Sequence, residues 1–172
     1  MAKVGTGLWA ALAACALATA AIAGTEEEAA AGDEVYVGIS GAMTLPSGGA
    51  RPRRLGGAEA QVGAYLSDSF AVEVAAGWME NFASLAVQGR LQFSAFGFYD
   101  RYFGYSRFDP FFAFGARGWI GSGGQVGPHA GVGSLYHLTD NWALRFDAGA
   151  TLGLDSEVGV VYSLSAGVQY AF

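Results

Sequence analysis

The stretch WALRFDAGATLGLDSEVGVVYSLSAGVQYAF, residues 142–172, decides the fold. From Trp142, every second residue is apolar (Leu144, Phe146, Ala148, Ala150, Leu152), and the intervening residues are Ala143, Arg145, Asp147, Gly149, Thr151 and Gly153. Leu154-Asp155-Ser156-Glu157 interrupts the alternation. It then resumes with Val158, Val160, Tyr162, Leu164, Ala166, Val168, Tyr170 and Phe172 opposite Gly159, Val161, Ser163, Ser165, Gly167, Gln169 and Ala171. A period of two puts alternate side chains on opposite faces of a strand, so this is a hairpin with one apolar and one polar face.

The same pattern runs backwards through the chain. It predicts strands over 127–138, 110–120, 85–96, 70–79, 57–66 and 34–43, which brings the count to eight. Ser67-Asp68-Ser69 and Thr139-Asp140-Asn141 are short links. They alternate with connections at 44–56, 80–84, 121–126 and 154–157, and 97–109 is one long link on the side of the short ones. Pro110 is placed at a strand start, where a missing N–H is tolerated. Twelve strands of about ten residues would leave almost no turns, so a large pore is excluded by length.

Composition narrows what surrounds the strands. Apolar residues make up 52% of the chain and charged residues only 14%, against about 25% charged in a typical soluble domain, which points to a protein that meets lipid. Only one stretch after the N-terminus, Gly118–Thr139, runs uncharged for the length of a membrane helix. It carries six glycines besides Gly118 and also Pro128 before its end, so it is not such a helix. A formal charge of −6 with scattered arginines offers no field for nucleic acid. Cys15 is the single cysteine, so disulfides are excluded.

Residues 1–23, MAKVGTGLWAALAACALATAAIA, have the form of a secretory signal peptide: Lys3, an apolar run, and a small-x-small end at Ala21-Ile22-Ala23. An alternative takes Leu12-Ala13-Ala14-Cys15 as a lipoprotein box that would acylate Cys15. After residue 23 the chain contains no lysine. Residues 24–33 open the mature chain as an acidic linker, and 34–172 form the strand domain.

Periodicity alone does not say whether the apolar face points inward or into lipid. The charged residues within strands, Glu59, Glu73, Arg90, Arg117, Arg145 and Asp147, all fall on the polar phase and sum to zero. Gln61, Gln88, Gln92, His129 and His137 share that phase, which is otherwise rich in Gly and Ser. A narrow polar lumen needs this kind of compensated charge, whereas a soluble surface carries more of it. Aromatics on the apolar phase (Phe70, Trp78, Phe112, Tyr136, Trp142, Tyr170, Phe172) gather near strand ends, as at the two interfaces of a membrane.

PFFAFGARG (110–118), GPHAGVGSLYHLTDNWALRFDAGA (127–150) and the terminal AGVQYAF, with Tyr170 and Phe172, resemble the small outer-membrane β-barrel superfamily of OmpA, OmpX and opacity-protein type. The resemblance implies an all-β, eight-stranded antiparallel up-and-down transmembrane barrel in the cell outer membrane. It implies that Glu59, Glu73, Arg90, Arg117, Arg145 and Asp147 form a lumenal ion-pair network that plugs the cylinder, and that the terminal segment is an insertion signal. It further implies a monomer among outer-membrane lipids and lipopolysaccharide, brought there by periplasmic chaperones and the barrel assembly machinery. OmpA itself also has a peptidoglycan-binding domain, and that anchoring function is not carried over.

Catalytic chemistry finds little support. No G-x-S-x-G elbow, P-loop or H-E-x-x-H occurs, and neither cofactor nor metal is expected. His129 and His137 share a predicted strand with Ser134, but the serine falls on the opposite face, so the three do not form a triad. Both histidines are read as lumenal hydrogen-bonding residues. Arg51, Arg53 and Arg54, in the first connection, are candidates for contact with lipopolysaccharide phosphates. The expected role is therefore structural, in membrane integrity or surface interaction, and not enzymatic. An opacity-type adhesin, a narrow solute channel and a lipid A-modifying enzyme stand as alternatives.

Overall fold

The computed structural model describes residues 34–47, 55–80, 82–93, 107–120, 125–154 and 159–172. Residues 1–33, which hold the expected signal peptide and linker, and Arg51, Arg53 and Arg54 lie outside the described residues.

Eight strands follow one another: β1 Val35–Pro46, β2 Leu55–Ser67, β3 Phe70–Met79, β4 Phe82–Gln92, β5 Phe108–Ile120, β6 Gln125–His137, β7 Trp142–Leu152 and β8 Val160–Ala171. Each pairs antiparallel with its chain neighbour, and β8 pairs with β1 from Tyr36↔Ala171 to Pro46↔Val161, so the sheet closes into a barrel without edges. The two ends of the barrel differ. Val35, Ser67, Phe70, Gln92, Phe108, His137, Trp142 and Ala171 mark one end, called the terminal end below, and Pro46, Leu55, Met79, Phe82, Ile120, Gln125, Leu152 and Val160 mark the other, called the loop end.

The register sets the barrel's dimensions. Stepping across paired residues from Tyr36 passes through Gly63, Glu73, Gln88, Gly115, His129, Thr151 and Val161 and returns to β1 at Pro46, ten residues further on. With about 3.3 Å per residue and about 4.8 Å between strands, this stagger tilts the strands by roughly 40° and gives a backbone cylinder of roughly 8 Å radius. Such a cylinder is filled by its own side chains. A 12-residue strand such as β1 then climbs about 30 Å, enough to cross a bilayer's apolar layer.

The alternation reads inside out. Arg90 is 0% exposed and Glu73 2%, while outward-facing Val87 and Val132 are 57% and 59% exposed. Burying charge while exposing aliphatic side chains would be unstable in water, and it suits a chain whose outer face meets lipid. Among the described residues no helix is long and apolar enough to cross a membrane, so any crossing is made by strands.

Some boundaries differ from the sequence expectation. The strand expected over 85–96 runs from Phe82 to Gln92, and the connection expected over 80–84 shrinks to two residues, since Met79 pairs directly with Phe82. Glu80 takes a positive φ of 46°, as a two-residue hairpin whose turn must match the twist of its strands requires. Pro110 is the third residue of β5, not the first. It is tolerated because its carbonyl receives Phe93 N–H at 2.9 Å, so its missing N–H faces β4 beyond the last paired residue, Gln92.

Candidate functional site

Glu73, midway along β3, is the centre of the lumen's polar contacts. Tyr36 donates its hydroxyl to Glu73 Oε2 at 2.9 Å, and Gln88 donates Nε2 to Oε1 at 2.8 Å. Arg145, from β7, donates Nη2 to Oε1 at 3.0 Å and Nη1 to Oε2, the bidentate fork that matches a carboxylate. Arg90 adds a longer contact from Nη1 to Oε2 at 3.4 Å. Arg145 also reaches Asp147 from Nε and Nη2, both at 2.9 Å, and Asp147 accepts from Ser165 Oγ at 3.2 Å.

Small residues make room for these groups. Tyr36 pairs across the ladder with Gly63, and its ring occupies the space where a side chain at 63 would begin. Phe111 lies over Gly133 in the same way. The rings then form a floor for the cations: Arg90 sits 4.9 Å from the Tyr36 ring centre and 4.3 Å from that of Phe111, and Arg145 sits 5.3 Å from the Phe111 ring. Phe111, Ala113, Leu135 and Ala143 make a buried apolar cluster beside them.

The six expected lumenal charges all point inward, but they fall into two groups. Glu73, Arg90, Arg145 and Asp147 are joined in one; Glu59 and Arg117 form a separate pair at 3.0 Å. Among the described residues, no ion pair links the two groups. Sequence reasoning does not single out Tyr36, Gln88, Gln169 and Phe111 as network members, although Gln169 accepts from Arg90 Nη1 at 3.1 Å. Glycine directly across from each ring is the available signal, and it is legible only once the register is known.

His129 shares a 2.9 Å hydrogen bond between Nδ1 and Thr151 Oγ1, and His137 Nε2 lies 2.6 Å from Asp109 Oδ2. Ser134 is on the outward phase of β6, between inward-facing Gly133 and Leu135, so the local chemistry of a nucleophile and base is not assembled there. Among the described residues no group of three or more His, Cys, Asp or Glu could hold a metal ion. At the terminal end Tyr170 packs edge-on against Trp142 at 4.9 Å and against Phe172 at 5.0 Å. Phe172 N–H is bonded to Val35 O at 2.9 Å, which ties the last residue to the first strand.

No protein-family model matches this chain, and none of the curated proteins does. Solved structures do. The N-terminal β-barrel domain of Pseudomonas aeruginosa OprF superposes with a TM-score of 0.56 at 15% identity, covering 80% of this chain and 97% of that one. Neisserial surface protein A gives 0.56 at 18% identity over 80% and 97% of the two chains. The outer membrane protein OprG from P. aeruginosa gives 0.54 at 10% identity over 82% and 97%. The fold is that of the small outer-membrane β-barrels. At these identities the likeness carries architecture alone, and what such a barrel does here has to come from its own lumen and surface.

Proposed function

We propose that this protein spans the outer membrane as a closed, monomeric barrel whose role is structural, in the integrity or surface of the envelope. The observation that carries this reading is the saturation of Glu73. Its two oxygens accept five contacts from Tyr36, Gln88, Arg90 and Arg145, contributed by strands β1, β4 and β7 around the cylinder. Two arginines, two rings and a carboxylate packed across a lumen of this radius support a plug and not a pore. The outward face, apolar along every strand and ringed by Phe70, Tyr136, Trp142 and Tyr170 at the terminal end, supports seating in lipid.

The direct test joins two measurements. In SDS, the unheated protein should migrate apart from the boiled one, as a detergent-resistant closed barrel does; reconstituted into planar bilayers, it should give no steady conductance. Steady single-channel currents from the purified protein would replace the plug with the narrow-channel reading. A change in the lipid A mass spectrum on overexpression would replace it with the enzyme.

A further inference from the structure

The two halves of the lumen are built differently. Toward the terminal end from Glu73, polar side chains are matched to one another: Gln169 to Arg90, Gln92 to Tyr65, His137 to Asp109. Rings and the cluster of Phe111, Ala113, Leu135 and Ala143 fill the space between them. Arg90 Nε, the one buried side-chain nitrogen or oxygen of this half without a hydrogen-bond partner among the described residues, lies with its guanidinium against the faces of Tyr36 and Phe111; Gln88 Oε1, level with Glu73, also lacks one.

Toward the loop end the opposite holds. One inward position beyond Glu73 on β3, the row through Ala75 carries Gln61, Ala86 and Arg117; two positions beyond, the row through Gly77 carries Ser40, Glu59, Ser84 and Trp119. All six polar side chains in these rows are at least nine-tenths buried. Each also holds an atom with no partner among the described residues: Ser40 Oγ, Glu59 Oε2, Gln61 Nε2, Ser84 Oγ, Arg117 Nε and Trp119 Nε1. The positions between them, Ala75, Ala86 and Gly77, supply no polar side-chain partner. Glu59 and Arg117 of these rows, with Gln88, His129, Arg145 and Asp147, line a cavity of about 20 Å³.

Buried polar atoms without partners are costly, and a polar cavity of this size accommodates one or two waters. Donors and acceptors both stand open here, which suits water and not an ion of either sign. We propose that the loop-end half of the lumen is a bound-water chamber, floored by the Glu73 network and exchanging only with the loop side, while the terminal half is dry. This rests on the closed-barrel reading and adds a direction to it: polar solutes reach the Glu73 network from one end alone.

Single cysteines in a Cys15→Ser background test it. In protein reconstituted in vesicles and verified as folded by its gel shift, Ala86→Cys should be oxidised to a dimedone-reactive sulfenic acid by hydrogen peroxide, a solute little larger than water that is itself reduced to water in the step. Ala143→Cys should stay unreacted until the protein is boiled. Equal labelling of the two, or an inert Ala86→Cys, overturns the chamber while leaving the barrel intact; a missing gel shift in the unsubstituted protein overturns the barrel itself. Where a cysteine variant fails to fold, NMR of the unsubstituted protein decides the same question. The Trp119 indole N–H should show an exchange cross-peak with water, and its absence sinks the proposal.

Discussion

Glu73 and Arg145 are 72 residues apart in the chain and meet across the lumen, with Arg145 Nη2 3.0 Å from Glu73 Oε1. Neither is exposed beyond 2%. In such a site the attraction between the charges and their desolvation nearly cancel, so the pair adds little net stability while intact. Removing one partner strands the other, at a cost of about 3–5 kcal/mol. Arg145→Met should lower stability by that amount in urea titrations of the folded barrel in detergent. Combining it with Glu73→Gln should recover part of the loss, because the stranded carboxylate is then gone. A double variant less stable than the single one would show that the pair is not the source of the penalty.

The outward and inward phases make opposite predictions for one added charge. Val87, 57% exposed on the lipid-facing phase of β4, pairs with Val74 and Ala116 in mid-strand. Val87→Arg should cost roughly 2–4 kcal/mol if it lies near the bilayer midplane, and less as it nears an interface. The check is unfolding in phospholipid vesicles. Transfer to a detergent micelle, where a long side chain reaches water more easily, should shrink the penalty. A cost that is the same in both settings would point to packing and not to lipid.

How far these phases are legible in the sequence depends on which face carries an anomaly. The hairpin of β7 and β8 is plain because Arg145 and Asp147 mark one phase and Leu144 and Phe146 the other. The lumenal rings are hidden because Tyr36 and Phe111 sit on the polar phase, where an aromatic side chain looks like noise in a period-two pattern. Their meaning comes from Gly63 and Gly133 directly opposite, and register is set by pairing over the whole barrel. The six lumenal charges are visible as a neutral set, yet their division into a four-residue network and a separate Glu59–Arg117 pair follows from the stagger of the strands, which no local pattern records. Similarly, Phe82 falls within an expected connection because the tightness of the turn at Glu80 depends on a backbone conformation.

The ring-over-glycine contacts yield a paired prediction. A Cβ added at Gly63 would lie 2.7 Å from the carbonyl oxygen of Val72 and would run into the Tyr36 ring, whereas one added at Gly56 on the same strand meets nothing within 4 Å. Gly63→Ala should therefore destabilise the barrel by about 1–3 kcal/mol, the usual cost of overpacking, and Gly56→Ala should be near neutral. Adding Tyr36→Ala to Gly63→Ala should remove the ring clash but also the hydroxyl bonded to Glu73, so the double variant should not return to the original stability. Equilibrium unfolding of the four proteins measures each step.

The aromatic contacts at the terminal end test whether they fasten the closing strand. Trp142 starts β7 and pairs with Tyr170 near the end of β8, with ring centres 4.9 Å apart and planes at 62°. An edge-to-face pair of this kind contributes about 0.5–1.5 kcal/mol beyond its buried area. In a double-mutant cycle, Trp142→Ala and Tyr170→Ala should show a coupling energy in that range. Both single variants should also lower the temperature at which the unheated gel band is lost, because each loosens the end where β8 meets β1 and Phe172 N–H bonds Val35 O. Additive effects, with no coupling, would mean that each ring is held by lipid independently of the other, and the closing strand would then owe its hold to backbone pairing alone.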